Sequence, residues 1–238
     1  MADEEAKAYT EQVNLGLISN HLGSGWQAGD PRYLDLNGNG VLDKGKDTAD
    51  DPGDRKILGN ALPSLQYGFN LGFDWYGFDI SVFFQGTGNH YWYPGHENGP
   101  FWGPYANPYM SFLPRDFMDN VWAPDNKDAY FPRPLAYAAR DKAPLGTVNS
   151  RYLQNKRYLR FKNLTVGYTL PEKLTRKIGV EQLRFYFSGE NLCYWSPLKE
   201  HSRYIDPEEA FDSDVKATYD RFHYPWQKTM IFGVDITF

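Results

Sequence analysis

From Met230 to the final Phe238 every second residue is apolar: Met230, Phe232, Val234, Ile236 and Phe238 alternate with Ile231, Gly233, Asp235 and Thr237. Only Ile231 departs from the small or polar character of the alternate set. Successive side chains of a strand point to opposite faces, so this stretch has one greasy side and one polar side. Two surroundings suit such a strand. In a wall between lipid and water every backbone group must be paired, which only helices and closed barrels achieve. In a soluble sandwich the greasy side would face a second sheet, and the pattern would be identical.

Composition narrows the choice. Hydrophobic residues make up 41% of the chain and mean hydropathy is −0.63, so no run approaches the roughly 20 apolar residues of a spanning helix. A helical membrane protein is excluded. Aromatics reach 17%, with 18 Tyr, 16 Phe and 7 Trp, which suits the interfacial girdles of a barrel or an aromatic ligand-binding surface. The net charge of −5 and pI near 5.5 argue against a nucleic-acid partner, which calls for a basic stripe. The single Cys193 can form no internal disulfide and reads as a small wall residue. The start, Met1-Ala-Asp-Glu-Glu, carries acids where a secretion signal would be basic, so a protein of the outer membrane with this sequence would have to begin upstream.

Four further runs alternate. Leu65 to Trp75 sets Leu65, Tyr67, Phe69, Leu71, Phe73 and Trp75 against Gln66, Gly68, Asn70, Gly72 and Asp74. A turn at Tyr76-Gly77 leads into Phe78 to Phe84, and together these read as a hairpin. Tyr158 to Leu170 changes phase near Asn163, and Leu183 to Tyr194 near Glu190-Asn191, which predicts a bulge in each. The apolar set Tyr67, Phe69, Leu71, Phe73, Ile80, Val82, Val234 and Ile236 is expected on one face, with Asn70, Asp74, Asp79 and Asp235 on the other.

The connections alternate strictly between short and long: Tyr76-Gly77, then residues 86–157, then 171–182, then 196–228. Sandwiches have no reason to collect long loops at one end, whereas outer-membrane barrels place long loops outside and short turns in the periplasm. The expected fold class is therefore all-β: an antiparallel transmembrane β-barrel segment of about five strands, an incomplete barrel with long extracellular loops. The chain divides on this reading into an irregular extracellular segment, 1–63, and the barrel strands and loops, 64–238.

Asp35-Leu-Asn-Gly-Asn-Gly-Val-Leu-Asp43 places oxygen side chains at alternate positions around a glycine, following the first nine positions of an EF-hand loop. Asp35, Asn37, Asn39, the Val41 carbonyl and Asp43 would then hold calcium in a stabilising role. The twelfth position is Lys46 in place of the bidentate Glu, and an Asn-Gly turn whose carboxylates cap backbone amides explains the same residues. Both readings stand at this point. The five histidines lack zinc spacing and no nucleophile elbow or phosphate-binding loop is present, so no enzyme is expected. After Gly86, Tyr91, Trp92, Tyr93, Phe101, Trp102, Tyr105, Tyr109, Phe112, Phe117 and Trp122 are interleaved with Gly, Pro and Asn. Most should form the loop's own core. Trp92 and Trp102 are the residues expected to meet substrate or partner.

Gly59-Asn-Ala-Leu-Pro-Ser-Leu-Gln-Tyr-Gly-Phe, Gly77-Phe-Asp-Ile-Ser-Val-Phe-Phe-Gln-Gly, Tyr158-Leu-Arg-Phe-Lys-Asn-Leu-Thr-Val-Gly-Tyr-Thr-Leu-Pro, Leu183-Arg-Phe-Tyr-Phe-Ser-Gly-Glu-Asn-Leu and Phe232-Gly-Val-Asp-Ile-Thr-Phe resemble the carboxy-terminal end of SusC/RagA-type TonB-linked outer-membrane proteins of Bacteroidetes. Gly29-Asp-Pro-Arg-Tyr-Leu-Asp-Leu-Asn-Gly-Asn-Gly-Val-Leu-Asp is similar to that family too. The resemblance implies a barrel of about 22 strands with a plug, driven through TonB and capped by a SusD-like lipoprotein that captures glycans or peptides. It places the chain in the cell outer membrane as part of a nutrient importer, with TonB contacted by a region not present in this sequence. A soluble, secreted β-sandwich that binds carbohydrate is the alternative from a different class.

Overall fold

The computed structural model describes residues 3–12, 26–95, 98–106, 113, 115–134, 145, 147–202, 204–210 and 226–238. Two compact units interleave along the chain. One gathers Met1–Gly59, Tyr93–Leu153 and Asp212–Phe222, the other Asn60–Trp92, Gln154–Phe211 and His223–Phe238.

Among the described residues the strands fall in the second unit: β1 (Gln66–Trp75), β2 (Phe78–Thr87), β3 (Tyr91–Trp92), β4 (Gln154–Asn155), β5 (Tyr158–Thr169), β6 (Gln182–Trp195) and β7 (Thr229–Thr237). Five of them form one antiparallel sheet in the order β1-β2-β5-β6-β7, while β3 and β4 pair as a short ribbon. In the hairpin turn both Tyr76 (φ 46°) and Gly77 (φ 86°) take positive φ, the backbone whose twist matches the flanking strands. Trp75 and Phe78 close it as an opposed pair.

Both expected phase changes are bulges. Phe83 pairs with Asn163 and Phe84 with Phe161, which leaves Lys162 without an opposite residue. Across the sheet, Phe161 pairs with Cys193 and Asn163 with Glu190, so Asn191 and Leu192 are the extra residues of β6. Asn191 adopts φ 51°, a conformation asparagine tolerates better than most residues.

The register assembles continuous apolar ladders across the strands. Leu71, Val82, Leu164, Gly189 and Met230 form one; Phe73, Ile80, Val166, Phe187 and Phe232 form the next; Trp75, Phe78, Tyr168, Phe185 and Val234 a third. Phe69, Phe84 and Phe161 stack in sequence with ring centroids 4.9 and 4.7 Å apart. Cys193, opposite Phe161, lies on this same face. A sandwich would cover such a face, yet Leu71 is 59% exposed, Phe73 57%, Val234 51% and Phe232 81%. The opposite face carries Asn70, Gly72, Asp74, Asp79, Ser81, Thr165, Arg184, Ser188 and Asp235.

The first unit is built on aromatic packing. The helix α1 (Asp3–Gln12), for which the sequence pattern gave no sign, buries Ala6 and Tyr9 against Trp26 and Leu42, with Tyr33 alongside. Tyr9 and Trp26 meet edge to face at 5.4 Å. A separate cluster joins Phe101, Trp102, Tyr105, Phe117, Phe131 and Tyr152, all buried. Asn98 starts the helical turn Gly99–Trp102 by accepting the Phe101 amide at 3.0 Å. Burial pushes the phenols of Tyr33, Tyr93, Tyr105 and Tyr152 well above their ordinary range. Of the loop aromatics named above, Tyr109 and Phe112 lie outside the described residues.

Candidate functional site

Two ion-pair clusters organise the polar face of the sheet. Arg184 of β6 reaches two strands away to Asp79 of β2, with Nε 2.9 Å from Oδ1 and Nη2 2.6 Å from Oδ2. Its Nη1 lies 2.9 Å from Oδ2 of Asp235 on β7. The reach is open because Gly167 stands between: a Cβ there would come within 2.6 Å of Nε and Nη2 of Arg184. The alternation anticipated the face on which Asp79 and Asp235 lie, but nothing in the sequence pattern named Arg184 as the group that joins them.

Toward the ends of the strands that carry the long connections, Arg160 of β5 is only 2% exposed. Its Nη2 lies 2.5 Å from both carboxylate oxygens of Asp206, and its Nε 2.7 Å from Oε1 of Glu208. Lys162 adds a contact to Oε2 of Glu208 at 2.9 Å, and the Arg160 guanidinium sits 4.8 Å from the Tyr194 ring. These bonds tie residues 204–210 to the wall. The bulge makes this possible. Counted back from Leu164 and Val166 without a slip, alternation would set Arg160 and Lys162 on the apolar face, where each charge at a bilayer midplane costs about 2–4 kcal/mol. The extra residue keeps both on the polar side.

The Asp35–Asp43 loop is a run of side-chain caps. Asp35 accepts the Gly38 amide at 2.7 Å through Oδ1 and the Gly40 amide at 2.8 Å through Oδ2. Asn37 accepts from Asn39, Asn39 from Val41, and Asp43 from Gly45, at 3.0, 2.8 and 2.7 Å. Asp54, not singled out in the motif, braces the loop by accepting the amides of Leu36 and Asp43 at 2.7 and 2.9 Å. Among the described residues no three His, Cys, Asp or Glu side chains gather as they would around a metal ion.

Trp92 and Trp102 are placed differently from what was expected of contact residues. Trp92 is 3% exposed and Trp102 1%. The Trp102 indole N–H donates to the carbonyls of Pro94 and Gly95 at 3.1 and 3.0 Å, and its ring meets Phe101 and Tyr152 at 4.6 and 5.1 Å. Both rings are buried in the described structure. A ring that wide gains most by burial, and Gly and Pro neighbours let the loop wrap it.

No family model matches the chain. It is 32% identical over 214 residues to TonB-dependent receptor P3 of Formosa agariphila, a match that takes in 87% of this chain and 19% of that receptor. The chain is related to a segment of the SusC/RagA-type TonB-dependent receptors. TonB-dependent receptor P26 of the same organism is 27% identical over 216 residues, with 88% of this chain and 20% of the receptor covered. The solved structure of the RagAB peptide importer in its closed-closed state superposes with a TM-score of 0.53 at 25% identity, covering 88% of this chain and 21% of that one. Its open-open state gives 0.53 at 22% identity, with 88% and 20% covered. The chain thus spans about a fifth of the length of the curated relatives it matches. The five-stranded sheet of this SusC/RagA-type chain is a stretch of antiparallel barrel wall, not a closed barrel and not one half of a sandwich. No helix among the described residues is long and apolar enough to cross a membrane, which leaves a β wall untouched.

Proposed function

We propose that this chain forms part of the wall and outer loops of a TonB-dependent importer in the cell outer membrane, which moves nutrients such as oligosaccharides or peptides and does no catalysis. The observation that carries the reading is the two-faced sheet, whose apolar ladders are exposed while its ion pairs line the other side. Lipid covers the ladders through Leu71, Phe73, Ile80, Val82, Val234 and Ile236, and Asp79, Arg184 and Asp235 face the lumen. A SusD-like lipoprotein caps the outer side, and TonB engages the receptor elsewhere. Support for that partnership and for a peptide cargo comes from the likeness to the RagAB peptide importer.

Orientation follows from loop length. The connections between β2 and β5 and between β6 and β7 lie outside, and the Tyr76-Gly77 turn and residues 170–181 in the periplasm. Cysteine labelling of whole cells carrying the full receptor tests this with Asp125→Cys and Lys177→Cys, both exposed positions. Asp125→Cys should react and Lys177→Cys should not; the reverse pattern overturns the orientation.

Calcium at Asp35, Asn37, Asn39, the Val41 carbonyl and Asp43 belongs to this reading as a stabiliser of an outer loop. Its support is the run of oxygen side chains at alternate positions of the sequence, in a loop whose Gly38 and Gly40 amides are both drawn onto the Asp35 carboxylate.

A further inference from the structure

The first unit holds a cavity of about 350 Å³ that none of the features above uses. This is within the range of about 300–1,000 Å³ seen for small-ligand sites. Its floor includes Asp30, whose side chain is wholly closed off and whose carboxylate is held by Arg133 Nε at 2.6 Å and the Gln27 amide at 2.9 Å. That negative charge is therefore compensated from within. Trp122, half-buried, lines one side and lies so close to Gly29 (φ +85°) that a Cβ there would come within 2.6 Å of Cε3 of the indole.

Three cations stand at the mouth: Arg32, Lys127 and Arg151, all exposed. Arg151 is held in place, since its Nε donates to the Tyr130 carbonyl at 3.0 Å and its Nη2 to the Ala129 carbonyl at 2.7 Å. Its guanidinium lies 5.8 and 5.9 Å from the rings of Tyr130 and Tyr152. Two carbonyls orient the group without cancelling its charge. Among the described residues neither Arg151 nor Lys127 has an ion-pair partner. Arg32 pairs with Glu5 at 3.0 Å, but both groups are exposed and the pair is screened by solvent.

We propose that this cavity binds an acidic saccharide unit, a pyranose carrying carboxylate or sulfate, with the sugar ring against Trp122 and the acid at Lys127 and Arg151. A positive mouth in a chain of net charge −5 selects for an anion, and the compensated Asp30 does not repel one. A peptide would bring a series of backbone N–H donors and need acceptors to meet them. Three acceptors at the cavity, the Asp30 carboxylate and the Ala129 and Tyr130 carbonyls, are already engaged. Sugar hydroxyls both donate and accept, so they make no such demand. The proposal rests on the importer reading only for where the ligand comes from; binding itself needs no transport.

Calorimetric titration of the full receptor in detergent tests it, with tetragalacturonate, neutral maltotetraose and tetraglutamate as probes. Tetragalacturonate should bind and maltotetraose should bind far less. Lys127→Glu, at an exposed position whose charge nothing in the described structure uses, should weaken tetragalacturonate by about tenfold or more, while Lys127→Arg keeps wild-type affinity. Raising salt from about 50 to about 500 mM should weaken the wild type and scarcely change Lys127→Glu. Absence of tetragalacturonate binding, equal affinity of Lys127→Glu and wild type, or stronger binding of tetraglutamate overturns the proposal. Uptake is measured separately on cells: a receptor that shows the Lys127-dependent binding but imports nothing refutes the importer reading alone.

Discussion

Aromatic residues serve opposite ends in the two units. In the sheet Phe73 is 57% exposed and Phe232 81%, whereas in the loop unit Tyr152 has no exposure and Trp102 has 1%. The hydrophobic effect is the same in both; what differs is where the water is excluded. The loop unit closes around its own rings and carries a core of its own. The wall keeps its rings on one side of a single layer of strands, where nothing in the described structure covers them and where, on the function proposed above, lipid does. An aromatic-rich sequence therefore says little about burial until its period is known.

Trp102→Ala in the full receptor is the severest test of that division. It should cost the loop unit about 3–5 kcal/mol, read as lost protease resistance of residues 93–153, while the heat-modifiable migration of the barrel is retained. Loss of both together would show that the two regions unfold as one. Next in size, Val234→Arg should cost about 2–4 kcal/mol if the site lies near the bilayer midplane, and Asp235→Asn less than about 1 kcal/mol because its bond to Arg184 is exposed. Equal tolerance at the two positions, in a refolding titration, would break the two-faced assignment.

Alkali should separate the units in a graded way. The buried phenols of Tyr33, Tyr93, Tyr105 and Tyr152 hold their protons above the ordinary value of 10.0, so they contribute stability in full below that pH and lose it as the pH rises further. Protease resistance of the loop unit should fall between about pH 9 and about pH 12, ahead of any change in the barrel's migration. A flat profile would mean that these phenols are not buried in solution. A more local change than these is Asp35→Ala, which removes two amide caps worth about 0.5–1.5 kcal/mol each. Calcium should protect wild-type residues 26–59 from proteolysis and leave Asp35→Ala unprotected. If calcium has no effect on the wild type, the loop is a capped turn and no more.

Strands, hairpin and both bulges were legible because a period of two leaves a residue-by-residue trace, and a slip in that trace has one geometric meaning. Asn163 and Glu190 mark the slips in the sequence and flank the bulges in the sheet. The helix Asp3–Gln12 was not legible, since its buried face amounts to Ala6 and Tyr9 among acids and polar residues. Nor did spacing reveal that Trp102 would be covered by Tyr152, fifty positions on, or that Asp206 and Glu208 would close on Arg160. Such contacts depend on how loops return, which no local period encodes. The cavity beside Trp122 was out of reach for the same reason: Asp30, Lys127 and Arg151 come from three distant stretches.

Gly167 has a consequence for the polar face of the sheet. Because it has no side chain, Arg184 can reach over it to Asp79 while also holding Asp235, and the guanidinium occupies space that a side chain at this position would take. Gly233 does the same for the Tyr186 ring, whose outer atoms fill the space a Cβ would take. The two glycines act as recesses that countersink large polar groups, so that the polar face of the sheet carries charges of both signs without bulk added at these two positions. Adding one methyl at Gly167 would push the guanidinium off its seat beside Asp79, and bulk and a free positive charge would arrive together on this face from a substitution that itself carries no charge.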